Sequence, residues 1–217
     1  MAITSLNKYT VPLASNQSST TQGLLMPKLK YRFRVILQGF GANGSISTEL
    51  TKQVSDVTRP KVSFEEIEVP VYNSKVFLAG KYTWEQMTLT LRDDASGNVQ
   101  RLVGEQIQKQ FDFMEQASAR SGIDYKFTTK IEVLDGGNGA NQPSILETYE
   151  CYGCFIQNAD YGDLNYGTNE PATVALTIRF DNAIQYKGGS IDGIGRSIGA
   201  RVAAAAGGTG GGAATVG

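Results

Sequence analysis

The chain has 217 residues, 20 Lys and Arg against 21 Asp and Glu, and no histidine. That length suits one domain with extensions, and a domain of about 150 residues buries roughly two-thirds of its unfolded surface without staples. A net charge of −1 argues against tight nucleic-acid binding, which needs clustered cations to neutralise phosphates, and the missing histidine removes the commonest general base and metal ligand.

Three zones are expected: a Ser/Thr-rich arm over residues 1–28, a β domain over 29–186 and a Gly/Ala-rich tail over 187–217. The opening MAITSLNKYT lacks the apolar core of a signal peptide, and no apolar run reaches the roughly 20 residues that span a bilayer, so a cytosolic product with no membrane partner is expected. Alternation of apolar and polar residues then predicts strands. The first places Tyr31, Phe33, Val35 and Leu37 on one face and Arg32, Arg34 and Gln38 on the other. Strands follow over Val62 to Val71 and Lys75 to Ala79, and again after Trp84, where Met87, Leu89 and Leu91 alternate with Gln86, Thr88, Thr90 and Arg92.

One helix is predicted from Asn98, read as its cap, to Ser121-Gly122. Its apolar face comprises Val99, Leu102, Val103, Gln106, Ile107, Gln110, Phe111 and Met114. Further strands are predicted over Phe127 to Val133, Thr148 to Ile156 and Val174 to Phe180, with Asp135 to Pro143 as a long hairpin connection. The fold expected is mainly β with one helix: two packed antiparallel sheets, a sandwich or barrel.

The chemistry-bearing residue types argue against an enzyme. Cys151 and Cys154 have redox-pair spacing, but they sit in a strand and no second ligand pair exists for zinc; small buried thiols on opposite strand faces are the simpler reading. Glu65-Glu66-Ile67-Glu68 splits across two strand faces, and Asp93-Asp94 stands where a strand turns into the helix, so it reads as turn and cap. The glycine clusters lack the Lys-Ser/Thr and helix of a phosphate loop. Tyr149, Tyr152, Tyr161 and Tyr166, without interleaved cations, suit protein contact better than base stacking. No catalytic, cofactor-binding or metal-binding residues are assigned.

The order of segments carries a resemblance. IEVPVYNSKVFLAGKYTWEQMTLTLRDD, Ile67 to Asp94, precedes the helix; YKFTTKIEVLDG follows it; LETYECYGCFIQNADYGDLNYGTNEPATVALTIRFDN closes the series. Across residues 30–186 this resembles the tail tube proteins of contractile-tailed bacteriophages, fold relatives of pyocin tubes and of the Hcp ring protein of type VI secretion. Its most specific parts are Pro70 to Gly80 leading into Thr83-Trp84, and the strand ending Leu176 to Asp181. The N-terminal arm, the Asp135 to Pro143 loop and the tail depart from short members of the family.

The resemblance implies a homohexameric ring whose inner strands join into one continuous barrel, and rings stacked helically inside a sheath in the virion tail. The implied partners are the chain itself, the tail sheath protein, the tape-measure protein, baseplate and tail terminator proteins, and DNA touched in passing. Two surfaces are expected to matter. Tyr72, Val76, Phe77 and Leu78 beside Asn73-Ser74-Lys75 form a hairpin tip too apolar for a solvent loop, expected between subunits. Gln86, Thr88, Thr90, Thr173 and Thr177 are candidates to line the lumen. Alternatives are a pyocin or injection-system tube, a non-contractile tail, a baseplate tube initiator, or a carbohydrate-binding β-sandwich.

Overall fold

The computed structural model describes residues 27–42, 48–136, 143–167 and 169–196, with the side chains of 48 and 49 left undescribed. The N-terminal arm up to residue 26, the middle of the Asp135 to Pro143 connection and the tail from residue 197 therefore lie outside the described residues. The chain divides into two compact units, Met1–Arg32 and Phe33–Gly217. In the first, Lys30 and Tyr31 make a turn, the Arg32 amide donates to the Leu29 carbonyl at 3.2 Å, and the Arg32 guanidinium lies 5.5 Å from the centre of the Tyr31 ring.

The second unit runs β1 (Phe33–Gln38), α1 (Thr48–Gln53), β2 (Val54–Val57), β3 (Val62–Val71), β4 (Ser74–Trp84), β5 (Met87–Arg92), α2 (Asn98–Gln110), β6 (Phe111–Asp112) and β7 (Ala117–Ser118). It continues through α3 (Gly122–Tyr125), β8 (Phe127–Leu134), β9 (Ile145–Asp160), β10 (Thr173–Arg179), β11 (Asn182–Lys187) and β12 (Ser190–Ile191). All pairings are antiparallel. One sheet orders β1-β8-β9-β11-β12, the other β9-β10-β5-β2, and β9 belongs to both.

Strand β9 can serve two sheets because it bends at Gly153. Its first half pairs with β8 and β11, and from Phe155 it pairs with β10. Between the pairs Thr129↔Cys151 and Phe127↔Cys154, two residues of β9 face one of β8, which is a β-bulge. Gly153 sits there at φ 66°, a conformation that side chains rarely tolerate. The extra residue resets the alternation, so Tyr149 and Cys151 point into the core before the bend and Cys154 and Ile156 after it. This corrects the expectation that the cysteines face opposite ways: both are free and buried.

Between the sheets lies one apolar core: Val35 and Leu37 from β1, Leu89 and Leu91 from β5, Ile131 from β8, Leu176 and Ile178 from β10, and Val99 and Val103 from α2. Phe180 meets Trp84 with ring centres 5.5 Å apart. Two glutamines on α2 tie the ends of other elements. Gln106, fully buried, accepts from the Gly41 amide at 3.0 Å and donates to the Tyr125 carbonyl at 2.6 Å. Gln110 accepts from the Ile156 amide and donates to its carbonyl, both at 2.9 Å, so a side-chain amide stands where a neighbouring strand would pair.

The helical expectations need correction. There are three helices among the described residues, not one. Helix α2 stops at Gln110 because Phe111 turns extended and opens the β6–β7 hairpin, so Phe111 and Met114 leave the buried face and are exposed. Asn98 does not cap it; the Asp94 carboxylate accepts from the Val99 amide at 3.1 Å. The Ser96 hydroxyl and then that amide hold the Asp94 carboxyl below its ordinary range. Ser121 starts a helix instead of ending one: it caps α3 in a reciprocal box with Asp124. Residues 187–196, expected in the tail, include β12, which pairs with β11, and the Gln185 amide donates to the Ile194 carbonyl at 2.9 Å.

Candidate functional site

The exposed surfaces that the core leaves over are organised around two features of the second unit. The larger is the ribbon of β3 and β4, which pair with each other and with no other described strand. Their registered pairs run from Val62↔Trp84 to Val71↔Ser74, so the ribbon extends about 33 Å at 3.3 Å per residue. Every residue of β3 is exposed, as is β4 apart from Gly80 and Trp84. A two-stranded ribbon with no third strand or helix behind it is at best marginally stable in water, and long apolar edges invite pairing.

Alternation sorts the distal half of the ribbon into two faces. Ile67↔Leu78 and Val69↔Val76 share one face with Val71, which is therefore almost wholly aliphatic. Glu66↔Ala79, Glu68↔Phe77 and Pro70↔Lys75 share the other, where Lys75 Nζ meets Glu68 Oε1 at 2.7 Å. Val76 and Leu78 are thus brought together, whereas Phe77, at 59% exposure, faces away from them. Tyr72 stands at the turn, fully exposed, with φ 46°. The pairing shifts register between Phe64 and Glu66. Gly80 stands opposite, where an added Cβ would lie 3.0 Å from the Glu65 carbonyl oxygen; only glycine allows so close a backbone approach.

The second feature is the outer face of the β9-β10-β5-β2 sheet. Thr88 stands opposite Thr177, Thr90 opposite Ala175 and Thr173 opposite Arg92, so four of the five predicted lumen residues share one face. Asn158 and Asp160 continue it across β9, and Asp56 across β2. Gln86 lies outside the strand, exposed in the link between β4 and β5. The Thr88 amide donates to the Thr58 hydroxyl at 2.8 Å. The face holds hydroxyl and amide groups, Arg92 and Arg179, and two carboxylates, with no dominant sign of charge.

Two further exposed apolar groups stand apart from these features, of which only Tyr166 was singled out in the sequence for protein contact. Phe111, Phe113 and Met114 flank the β6–β7 hairpin, with the Phe rings edge to face at 5.4 Å; helical periodicity had absorbed two of them. Leu164 and Tyr166 project from the link between β9 and β10. Catalytic furniture is sparse: no cluster of three or more His, Cys, Asp or Glu that would hold a metal occurs among the described residues. Burial raises both thiols, Cys154 to about 11, so neither is a nucleophile at neutral pH.

No protein-family model matches the chain, and no curated protein matches it in sequence. Solved structures do. A chain in the tube-terminating cap of the anti-feeding prophage aligns with a TM-score of 0.56 at 14% identity, over 76% of this chain and 94% of that one. A chain in the anti-feeding prophage baseplate aligns with a TM-score of 0.53 at 15% identity, over 76% and 98%. A chain in the sheath–tube complex of an extracellular contractile injection system, PVC, aligns with a TM-score of 0.52 at 16% identity, over 74% and 92%. At such identities the likeness speaks for fold alone, and it spans nearly the whole of each matched chain. The fold of this protein is therefore one shared with chains in the tube-terminating cap, the baseplate and the sheath–tube complex of contractile injection systems.

Proposed function

We propose that the chain is the structural subunit of a phage tail tube. Six copies close into a ring, the inner strands of the copies join into one continuous barrel, and rings stack helically inside a contractile sheath. The channel passes the tape-measure protein and then DNA, and baseplate and terminator proteins finish the ends. The observation that carries this reading is an uncovered β3–β4 ribbon on a tube-fold domain. A chain working alone would leave that aliphatic face and both strand edges in water, whereas a ring or a stack covers them.

In this reading the threonine face of β5 and β10 lines the channel. A near-neutral, hydroxyl-rich wall leaves phosphates free to slide, because a basic wall would hold them by counterion release. The ribbon, through Tyr72, Val76, Phe77 and Leu78, lies between subunits. Electron microscopy of the purified protein over a concentration range tests the proposal: annuli or striated tubes with a central channel are expected, and a monomer that also ignores an added baseplate seed would refute it. Leu78→Asp is expected to block assembly through the aliphatic face. Normal assembly of Phe77→Asp would remove the opposite face from the contact.

The tube-terminating cap with TM-score 0.56 favours a second reading, a subunit of a cap, a baseplate or the tube of another contractile injection system. Single annuli that never stack would select a cap or baseplate component.

A further inference from the structure

The sheet of β9, β10, β5 and β2 carries opposite charges at its two ends. From Ile131 to Ile178 the sequence contains acids and no lysine or arginine. Asp160, Asp163 and Glu170 of that stretch, all exposed, lie where β9 passes into β10 through residues 161–172. The Asp93 amide donates to the Ala172 carbonyl at 2.9 Å, so the link returns to the sheet beside the end of β5. Arg92, also exposed, is a cation at that end, where the acids outnumber it.

Cations gather at the other end. The Thr58 amide donates to the Thr88 carbonyl at 3.0 Å and leads β2 into Arg59, and the Glu85 amide donates to the Lys61 carbonyl at 2.9 Å just before β5. Strand β10 closes on Arg179, and Ile178 stands opposite Met87, so Arg59, Lys61 and Arg179 lie at the end of the sheet away from the link. All three are exposed, with the acid Glu85 beside them. Neither they nor Asp160, Asp163 and Glu170 form an ion pair among the described residues. The ends are about 20 Å apart along β10 at 3.3 Å per residue. That is about twice the screening length in 0.1 M salt, so one end of a chain does not relieve the repulsion among like charges at its other end.

We infer that copies meet end to end along these strands, the acidic link of one against Arg59, Lys61 and Arg179 of the next. The contact rests on the proposed role as an assembling subunit and is separate from the one the ribbon makes. Complementary charge selects a second copy as the occupant, because each end of the sheet carries what the other end lacks. Joining opposite ends of one sheet displaces each copy along its strands, so the contact does not close on itself and builds a stack. Leu164 and Tyr166, exposed on the same link, give the charged end apolar area to bury. The ribbon contact rests on an aliphatic face and the end contact on charge, so screening by salt weakens the stack and leaves the ribbon contact in place.

Two charge-reversed proteins test the contact. One carries Asp163→Lys with Glu170→Lys, the other Arg59→Glu with Lys61→Glu; all four side chains are exposed, so unchanged thermal unfolding is expected. In sedimentation and electron microscopy at low ionic strength, each alone is expected to form annuli at the wild-type concentration. Stacking of either alone is expected only at about tenfold higher concentration, because every end contact now joins like charges. Mixing preformed annuli of the two is expected to bring stacking back to the wild-type concentration, with basic and acidic annuli alternating. Salt tests the wild type without any substitution: at about 1 M, where the screening length falls to about 3 Å, stacks are expected to release annuli. Variants that each stack like wild type, a mixture no better than its parts, or stacks indifferent to salt overturn the contact and leave the subunit reading intact. Wild-type annuli that never stack also overturn it and leave the cap reading. A wild-type chain that forms no annuli, alone or on a seed, overturns the subunit reading and the contact with it.

Discussion

Substituting Gly153→Ala tests whether the bend in β9 is imposed by backbone conformation. At φ 66° a residue with a Cβ costs about 1–2 kcal/mol more than glycine. The new methyl carbon would lie 2.1 Å from Asp181 Oδ2 and 2.7 Å from its Cγ, so the carboxylate must rotate away. That motion breaks the 2.6 Å ion pair with Lys126, whose members are 30% and 59% exposed, and screening limits the loss to about 0.5 kcal/mol. The sum is about 1.5–2.5 kcal/mol, or about 3–10 °C in Tm for a domain of this size. Urea unfolding of Gly153→Ala, Asp181→Ala and the double variant forms a cycle. The double variant, with the clash removed, should retain the conformational part, about 1–2 kcal/mol. A Gly153→Ala protein within about 0.3 kcal/mol of wild type would refute the idea that this position forces the strand to change sheets.

Gln110→Ala should cost about 1–3 kcal/mol, since it strips partners from both the Ile156 amide and carbonyl; faster hydrogen exchange at the Ile156 amide is the accompanying signature. Asp94→Asn should lower Tm near neutral pH. Because the folded carboxyl of Asp94 is held below its ordinary value by Ser96 and the Val99 amide, its contribution is present above the unfolded pKa and lost as pH falls through the folded one. The wild-type advantage over Asp94→Asn should therefore shrink on acidification and vanish in strong acid, which thermal melts across pH would check. Neither native cysteine should react with an alkylating reagent at pH 8 in the folded protein, with Cys154 pushed up to about 11 and Cys151 raised by burial. Against that silent background, Thr88→Cys should label in the free chain; labelling in assembled tubes by a reagent small enough to enter the channel would support the lumen assignment.

Periodicity of two carried most of the fold. Leu89, Ile131 and Leu176 were legible as core because each alternates with polar neighbours in a strand buried on one face, and all three are buried. The ribbon, too, was legible as two strands with an apolar tip at Tyr72, Val76, Phe77 and Leu78, although alternation did not reveal that Phe77 opposes Glu68 on the far face. The strand predicted over Thr148 to Ile156 ran straight through Gly153, which passed as an ordinary strand residue. Its positive φ, and with it the inward turn of both cysteines, coincides with the point where β9 leaves one sheet for the other. Helix boundaries failed for a related reason: Phe111 and Met114 have helical spacing, but nothing within the sequence window says that the core ends at Gln110.

The chain alone thus determined the strand faces, the near-neutral charge and the lack of an imidazole, all of which are properties of residues and their neighbours. Tertiary structure decided which strands pair, that four threonines from β5 and β10 share one face, and that β3 and β4 stay exposed along their length except at Gly80 and at Trp84, which enters the core. Those depend on contacts between residues distant in sequence, where register and burial are set by packing, and local pattern does not encode them.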